Sequence, residues 1–431
     1  VRALTLEIAA ETRAEWGYVT DIMARTFRAH RELSSGGRRR VSEAVYGLIR
    51  MDRRLDAILE ELLGRNQDVA PVFRDELKLL VHEIREGLPV AAANAEADRL
   101  GRGEIDLTHA AGEDAGLAGR KGLDREAVRL SYPTWMLERL VNDLGQAEAI
   151  ALCEAMNRRA PLAVRINAVK VSREALIQRL AEENVIAHPT RLAPAGLVFE
   201  TRVNAFALSA FQEGLFEVMD EGSQLCAELV APPPGGRVAD VCAGAGGKTL
   251  AIGASMGGRG RLLALDVDGR KLEELRRRAR RAGLSNVTAR PIDREGVLPA
   301  EARPGGWDRV MVDAPCSGLG TLRRNPEARW RLTPQAIAGF PTRQLGLLVT
   351  YAPLCAVGGR LIYTTCTLLE EENDKVIERF LAERKDFVRV PVKEIWGREP
   401  AEKVGDGLSL RLYPHRHDTD GFFGAVLRRV S

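Results

Sequence analysis

At 431 residues, 45% hydrophobic and 29% charged, the chain exceeds one ordinary core and is too apolar for a disordered one, so it divides into two or three domains. No window holds about eighteen uninterrupted apolar residues, and Val1-Arg2-Ala3-Leu4 lacks the charged stretch and apolar run of a secretory leader, so the chain reads as cytoplasmic and off the membrane. A formal charge of only +3, from 63 Lys+Arg against 60 Asp+Glu, excludes nucleic-acid recognition by bulk charge alone and leaves it to local distribution.

Residues 11–89 carry apolar side chains at three- and four-residue spacing, as in Val45, Leu48, Ile49, Leu55, Ile58, Leu59 and Leu62, which predicts an all-α bundle. The stretch 101–122, rich in Gly, Ala and charge, has weak periodicity and predicts a linker. Tyr132-Pro133-Thr134-Trp135 opens a second helical passage. After Pro161 the pattern predicts a strand at 162–167, a helix at 172–183 and short β-prone pieces up to Phe199, a small α+β module. Pro232-Pro233-Pro234-Gly235-Gly236 is the clearest breaker. Beyond it, strands at 237–241, 262–265, 309–312 and 360–363 alternate with helical text, the pattern of a mostly parallel sheet covered on both faces. The predicted domains are 1–130, all α; 131–230, a helical linker with the α+β module; and 231–431, α/β and Rossmann-like.

Sites in such a sheet form beyond the carboxyl ends of its strands. Cys242-Ala243-Gly244-Ala245-Gly246-Gly247-Lys248 follows the first of these strands and leads into a helix, so backbone N–H groups can meet a ligand without Cβ obstruction. A Walker A loop requires Gly where Cys242 stands, and a dinucleotide fingerprint starting at Gly244 requires Gly at Thr249. Taken alone, the segment also reads as a plain strand-to-helix turn. Joined to Asp266 at the next strand end and Asp293 after the third, it points to S-adenosylmethionine, with ribose and adenine contacts from successive strand ends.

The six cysteines show no C-x-x-C spacing and form no paired set for a metal, so they read as reduced thiols. Cys153, Cys226 and Cys355 read as small buried apolar residues, the usual fate of a free cysteine. Cys316, in Asp313-Ala314-Pro315-Cys316, and Cys366, in Thr365-Cys366-Thr367, each follow a strand end at the cofactor rim. Methylating carbon 5 of a pyrimidine needs a thiol that adds to carbon 6 and a second group that helps release the product. Asp313 can stabilise charge on the ring of a base taken out of its stack. Arg323, Arg324, Arg329, Arg331 and Arg343 are expected to grip phosphates. The run Arg276-Arg277-Arg278-Ala279-Arg280-Arg281 reads as a solvated helix face remote from the strand ends.

Together these residues resemble the Sun (RsmB) family of RNA 5-methylcytosine methyltransferases over most of the chain. The cofactor turn, Asp313-Ala-Pro-Cys316-Ser-Gly318, and Thr365-Cys366-Thr367 followed by Glu371-Glu372-Asn373 are similar to family motifs. So are Arg165-Ile-Asn167, Arg323-Arg324-Asn-Pro326 and Asp420-Gly421-Phe422-Phe423. The resemblance implies Cys366 as nucleophile, Cys316 in product release, and Asp266, Asp293 and Asp313 in cofactor or base contacts. It further implies an RRM-like module and, from Ala44-Val-Tyr46-Gly47-Leu-Ile-Arg50, a NusB-like RNA-binding bundle. The implied partner is 16S ribosomal RNA or a small-subunit assembly intermediate, with cytosine 967 as the bacterial target and no metal. Ala245 departs from the family by replacing a proline, and Met219 replaces a glutamine. The rival readings are a DNA cytosine methyltransferase attacking through Cys316, a P-loop ATPase, and a non-catalytic RNA-binding assembly factor.

Overall fold

Helices at Arg2–Glu15, Val19–Ala29, Ser35–Arg50, Asp52–Leu63, Pro71–Arg85 and Val90–Arg99 open the chain, in a computed structural model that describes residues 1–64, 71–101, 105–293 and 296–431. They form because their apolar residues recur on one face. Val41, Val45, Leu48 and Ile49 share a buried stripe with Leu55, Ile58 and Leu59, each worth roughly 1.5–3 kcal/mol. The Ser34 side chain caps the third helix by accepting from the Gly37 N–H at 3.1 Å. Gly47 is required there, because a Cβ would lie 2.1 Å from the His82 ring.

These helices, together with Gly122–Leu130, Thr134–Leu144 and Gln146–Asn157, belong to one compact unit, Val1–Arg158 plus Leu322–Pro334. The second stretch is anchored by Trp330, whose indole donates to the Ile49 carbonyl at 2.9 Å and whose ring lies 5.7 Å from that of Trp16. The other unit comprises Arg159–Thr321 and Gln335–Ser431.

The second unit holds two sheets. Strands β1 (Leu162–Ile166), β2 (Ala187–Pro189), β3 (Gly196–Phe199) and β4 (Phe216–Val218) pair antiparallel in the order β2-β3-β1-β4. Helices at Arg173–Glu182 and Ser209–Gln212 complete a β-α-β-β-α-β unit, the split βαβ arrangement. Val164, Ile166, Leu197, Phe199 and Phe216 face those helices in a core of their own.

The large sheet contains β5 (Arg237–Asp240), β6 (Arg261–Asp266), β7 (Val287–Pro291), β8 (Trp307–Asp313), β9 (Cys355–Thr365), β10 (Phe387–Val390), β11 (Leu410–Leu412) and β12 (Phe422–Arg429). Its order is β10-β12-β9-β8-β5-β6-β7, with β11 against β12. From β7 to β9 the pairing is parallel, and the inner strands β6 and β8 carry the buried apolar runs Leu262 to Leu265 and Val310 to Val312 expected of a sheet covered on both faces. The late strand β12 inserts antiparallel beside β9. The strand order reverses between β5 and β8, which leaves a crevice at their carboxyl ends.

Candidate active site

The crevice receives the glycine turn from β5, Asp266 from β6, Asp313 from β8 and Cys366 from β9. In the turn, the Ala243 N–H donates to the Leu265 carbonyl and the Gly246 N–H to the Ala243 carbonyl. Gly244 and Gly246 have φ of 53° and 87°, the left-handed region that glycine enters without steric cost. A Cβ on Gly246 would meet Leu275 at 2.5 Å, whereas one on Gly244 or Gly247 would stand in open space. The Asp266 carboxylate accepts from the Gly244 N–H and the Asp268 N–H, both at 2.8 Å. An open glycine cradle at a helix N-terminus, beside a strand-end carboxylate, fits a nucleoside cofactor such as S-adenosylmethionine. Cys242 is partly buried against the core beneath the turn, and burial pushes its thiol pKa up. Asp293, one strand further out, is exposed and accepts from the Val297 N–H at 2.6 Å.

Lys248 joins the turn to β8. Its ammonium donates to Asp313 Oδ2 at 2.7 Å and lies 5.3 Å from the Phe422 ring centroid. Burial pulls its pKa down, but the surrounding anionic groups, Asp313 foremost, reverse this and hold it above the usual lysine value. Thr364 donates to Asp313 Oδ1 at 2.8 Å, so both carboxylate oxygens are held in place. Beneath the turn, Asp240 is 1% exposed and accepts from Thr249 Oγ1 at 2.6 Å. Its pKa is raised to about 7 by burial, only partly offset by that hydrogen bond.

Cys316 Sγ and Cys366 Sγ lie 3.4 Å apart. The hydrogen bond with Cys366, followed by burial, pushes the Cys316 thiol well above its usual pKa. Cys153, Cys226 and Cys355 are fully buried, in keeping with a packing role. Among the described residues, no three His, Cys, Asp or Glu side chains converge as a metal site, and no helix is long and apolar enough to cross a membrane.

Two arginine assignments need correction. Arg329, expected on phosphate, is 0% exposed inside the helical unit. Its guanidinium donates to the Ser131 carbonyl at 3.1 Å and to Asn157 Oδ1 at 2.9 Å, stacked 4.0 Å from the Tyr132 ring centroid. Arg323 is likewise 5% exposed; Arg331 and Arg343 are exposed. The run 276–281 is not simply a solvated face remote from the strand ends. Arg278 donates to the Ala245 carbonyl of the cofactor turn at 2.7 Å and to Glu217 of β4 at 3.0 Å. Arg281 pairs with the same carboxylate, which is 4% exposed. Position 245 lacks the ring of the family's proline, and this contact restrains its backbone. The buried acceptors of both arginines lie far away in sequence, so charge patterning gave no sign of them.

Residues 227–428 match the family described as 16S rRNA methyltransferase RsmB/F, and residues 132–205 match the ferredoxin-like domain of RsmF/B-like methyltransferases. The chain is 34% identical to the probable ribosomal RNA small subunit methyltransferase B of Synechocystis sp., covering 100% of this chain and 99% of that one. It is 34% identical to the ribosomal RNA small subunit methyltransferase B of Thermus thermophilus, covering 90% of this chain and 87% of that one. The crystal structure of PH0851 aligns with a TM-score of 0.77 at 26% identity, covering 99% of this chain and 98% of that one.

Proposed function

Since the chain belongs to the RsmB/F family of 16S rRNA methyltransferases, we propose that it methylates carbon 5 of a cytosine in 16S rRNA through a covalent bond from Cys366 to carbon 6. It is an S-adenosylmethionine-dependent RNA methyltransferase, and Cys242 to Lys248, Asp266 and Asp293 are the residues that would hold the cofactor. Bound S-adenosylmethionine supplies a methyl group carried on a positively charged sulfur. The observation that carries the reading is the 3.4 Å pair of sulfurs, next to a carboxylate that the cofactor turn itself holds through Lys248.

The Cys366 thiolate adds to carbon 6, and the ring electrons move toward carbon 5, which makes that carbon nucleophilic. Asp313 stabilises the adduct by hydrogen bonding to the exocyclic amine or the protonated N3. After methyl transfer the carbon 5 proton passes to a solvent water, its bonding pair restores the ring double bond, and Cys366 departs as thiolate. Cys316 assists that release. Its sulfur lies 3.4 Å from that of Cys366, within reach to donate a hydrogen bond to the departing thiolate.

The base and its position are tested by bisulfite mapping of small-subunit RNA from cells with and without the protein. The reading expects one protected cytosine, the bacterial 967 position, that becomes convertible when the gene is removed. Unchanged conversion at every cytosine would overturn it. We also propose a NusB-like RNA-binding role for the helical unit, its exposed Arg331 being one candidate phosphate contact.

A further inference from the structure

The two cysteines lie on separate loops, one after β8 and one after β9, and each loop is only a few residues long. Strand pairing places the loops side by side, with Asp313 in register with Thr364; the ladder runs to the Ala314 N–H, which donates to the Thr364 carbonyl at 2.9 Å, and further on the Gly320 N–H donates to the Cys366 carbonyl at 2.9 Å. That bond fixes the Cys366 backbone but touches the other loop four residues past Cys316, so a further tie is needed to set the distance between the sulfurs.

Glu372 stands at that place. It is 0% exposed, and its carboxylate accepts from four donors. Oε2 takes the Ser317 N–H at 2.9 Å and Gln344 Nε2 at 2.9 Å. Oε1 takes Ser317 Oγ at 2.5 Å and Thr367 Oγ1 at 2.9 Å. Ser317 follows Cys316, and Thr367 follows Cys366. One buried carboxylate therefore ties together the residues next to both sulfurs, whose hydroxyls are also 2.7 Å from each other. Gln344 continues the link by donating to the Pro315 carbonyl at 3.1 Å, and the Glu372 backbone is fixed by Tyr363 Oη at 2.6 Å. Burying a carboxylate is costly unless its lone pairs are satisfied, and here three of the four donors belong to the two loops that must be aligned, the fourth being Gln344 of the helix Phe340–Tyr351.

We infer that Glu372 is a positioning residue that holds Cys316 and Cys366 at their working separation, acting on the reaction through the two loops without touching substrate. The inference rests on the proposed roles of those cysteines. Removing the carboxylate strands the Ser317 N–H and frees both loops to drift. A displacement near 1 Å at reacting atoms costs about 10²-fold in rate. Glutamine preserves the shape and one acceptor oxygen, and the Ser317 and Thr367 hydroxyls can rotate to accept from its amide, so it restores much of the link.

Two readouts test this on the full chain. A trivalent phenylarsenical condenses with two neighbouring thiols, forming two As–S bonds and releasing water, and so reports sulfur spacing without any RNA. RNA carrying 5-fluorocytidine reports the rate of covalent trapping. S-adenosylmethionine affinity and the melting transition monitor folding. Glu372→Ala is expected to lose the arsenical adduct that depends on both Cys316 and Cys366, and to trap RNA about 10²-fold more slowly. Glu372→Gln is expected to lie close to the parent in both assays, and the double variant Ser317→Ala/Thr367→Val, which keeps the carboxylate, between them. If Glu372→Ala does not fold, the double variant decides alone. Parental arsenical capture and trapping in folded Glu372→Ala, or in the double variant where Glu372→Ala does not fold, would overturn the inference. Trapping that survives Cys366→Ala would instead overturn the assigned nucleophile, while the arsenical result would still judge the role of Glu372.

Discussion

The cofactor cradle and the thiol rim share one edge of the large sheet and are built in opposite ways. In the cradle, Gly244 and Gly247 face open space, and the turn is held from outside by single contacts from Asp266 and Arg278. In the rim, Thr364, Thr365, Thr367, Gln344 and Glu372 are all 0% exposed and hydrogen-bonded to one another or to Asp313 and Asn373. The difference follows from what each must do. A cradle that admits a ligand leaves backbone donors and volume for it, whereas sulfurs that must meet one ring atom need their geometry set beforehand. Only the Lys248–Asp313 ion pair spans the two regions among the contacts described above.

Breaking the rim has the largest expected effect on chemistry and the smallest on cofactor binding. Cys366→Ala should abolish methyl transfer, a loss on the order of 10³-fold or more, while leaving the S-adenosylmethionine dissociation constant unchanged by calorimetry. A parallel loss of cofactor affinity would mean that the two regions are not separate.

Severing the bridge should affect both. Lys248→Met leaves the Asp313 carboxylate facing a cluster from which its counter-charge is gone. Asp313 is 30% exposed, so the cost should fall below the 3–5 kcal/mol typical of fully buried pairs, at about 1–3 kcal/mol by urea unfolding. Lys248→Met/Asp313→Asn should recover part of it; additive losses would show that the pair is uncoupled.

Asp240 sharpens the comparison through pH. Its folded pKa of about 7 lies above the ordinary value of 3.8. Between these values the folded protein keeps a proton that the unfolded chain releases, so stability falls as pH rises from about 4 to about 7 and then levels off. Glu228, raised to about 7 by burial and then by Glu221, adds to the same slope with the same sign. Asp240→Asn and Glu228→Gln should each flatten the stability profile in that window. A profile unchanged in both variants would rule out these two groups as its source.

The smallest effects separate two glycines of one turn. Gly246→Ala forces a Cβ against Leu275 at positive φ and should cost about 1–2 kcal/mol of stability from the left-handed strain alone. Gly244→Ala meets no protein atom, so beyond similar strain its distinguishing effect should be weaker S-adenosylmethionine binding. If both variants shifted affinity equally, the open space at Gly244 would not be the ligand's.

The cradle was the more legible of the two regions in the sequence. Its glycines, Lys248 and the strand-end Asp266 lie in short segments whose spacing reflects strand, turn and helix. The rim was half legible. Cys316 and Cys366 stood out by their flanking residues, but Ser317 and Glu372 are joined only by tertiary pairing, and Gln344 carries no local signal. Arg329 was misread for the same reason: its neighbours in sequence suggested a basic face, while its partners Ser131 and Asn157 lie in another stretch of the chain. The parallel strands were visible as apolar runs. The antiparallel insertion of β12 was not, because pairing direction leaves no mark on composition.

Which sulfur bonds to the ring decides between the two cysteines as nucleophile. Proteolysis of the complex trapped on 5-fluorocytidine RNA, followed by mass spectrometry of the nucleotide-bearing peptide, identifies that residue directly. The expected peptide carries its nucleotide on Cys366 with Cys316 unmodified. A nucleotide found on Cys316 would contradict the account.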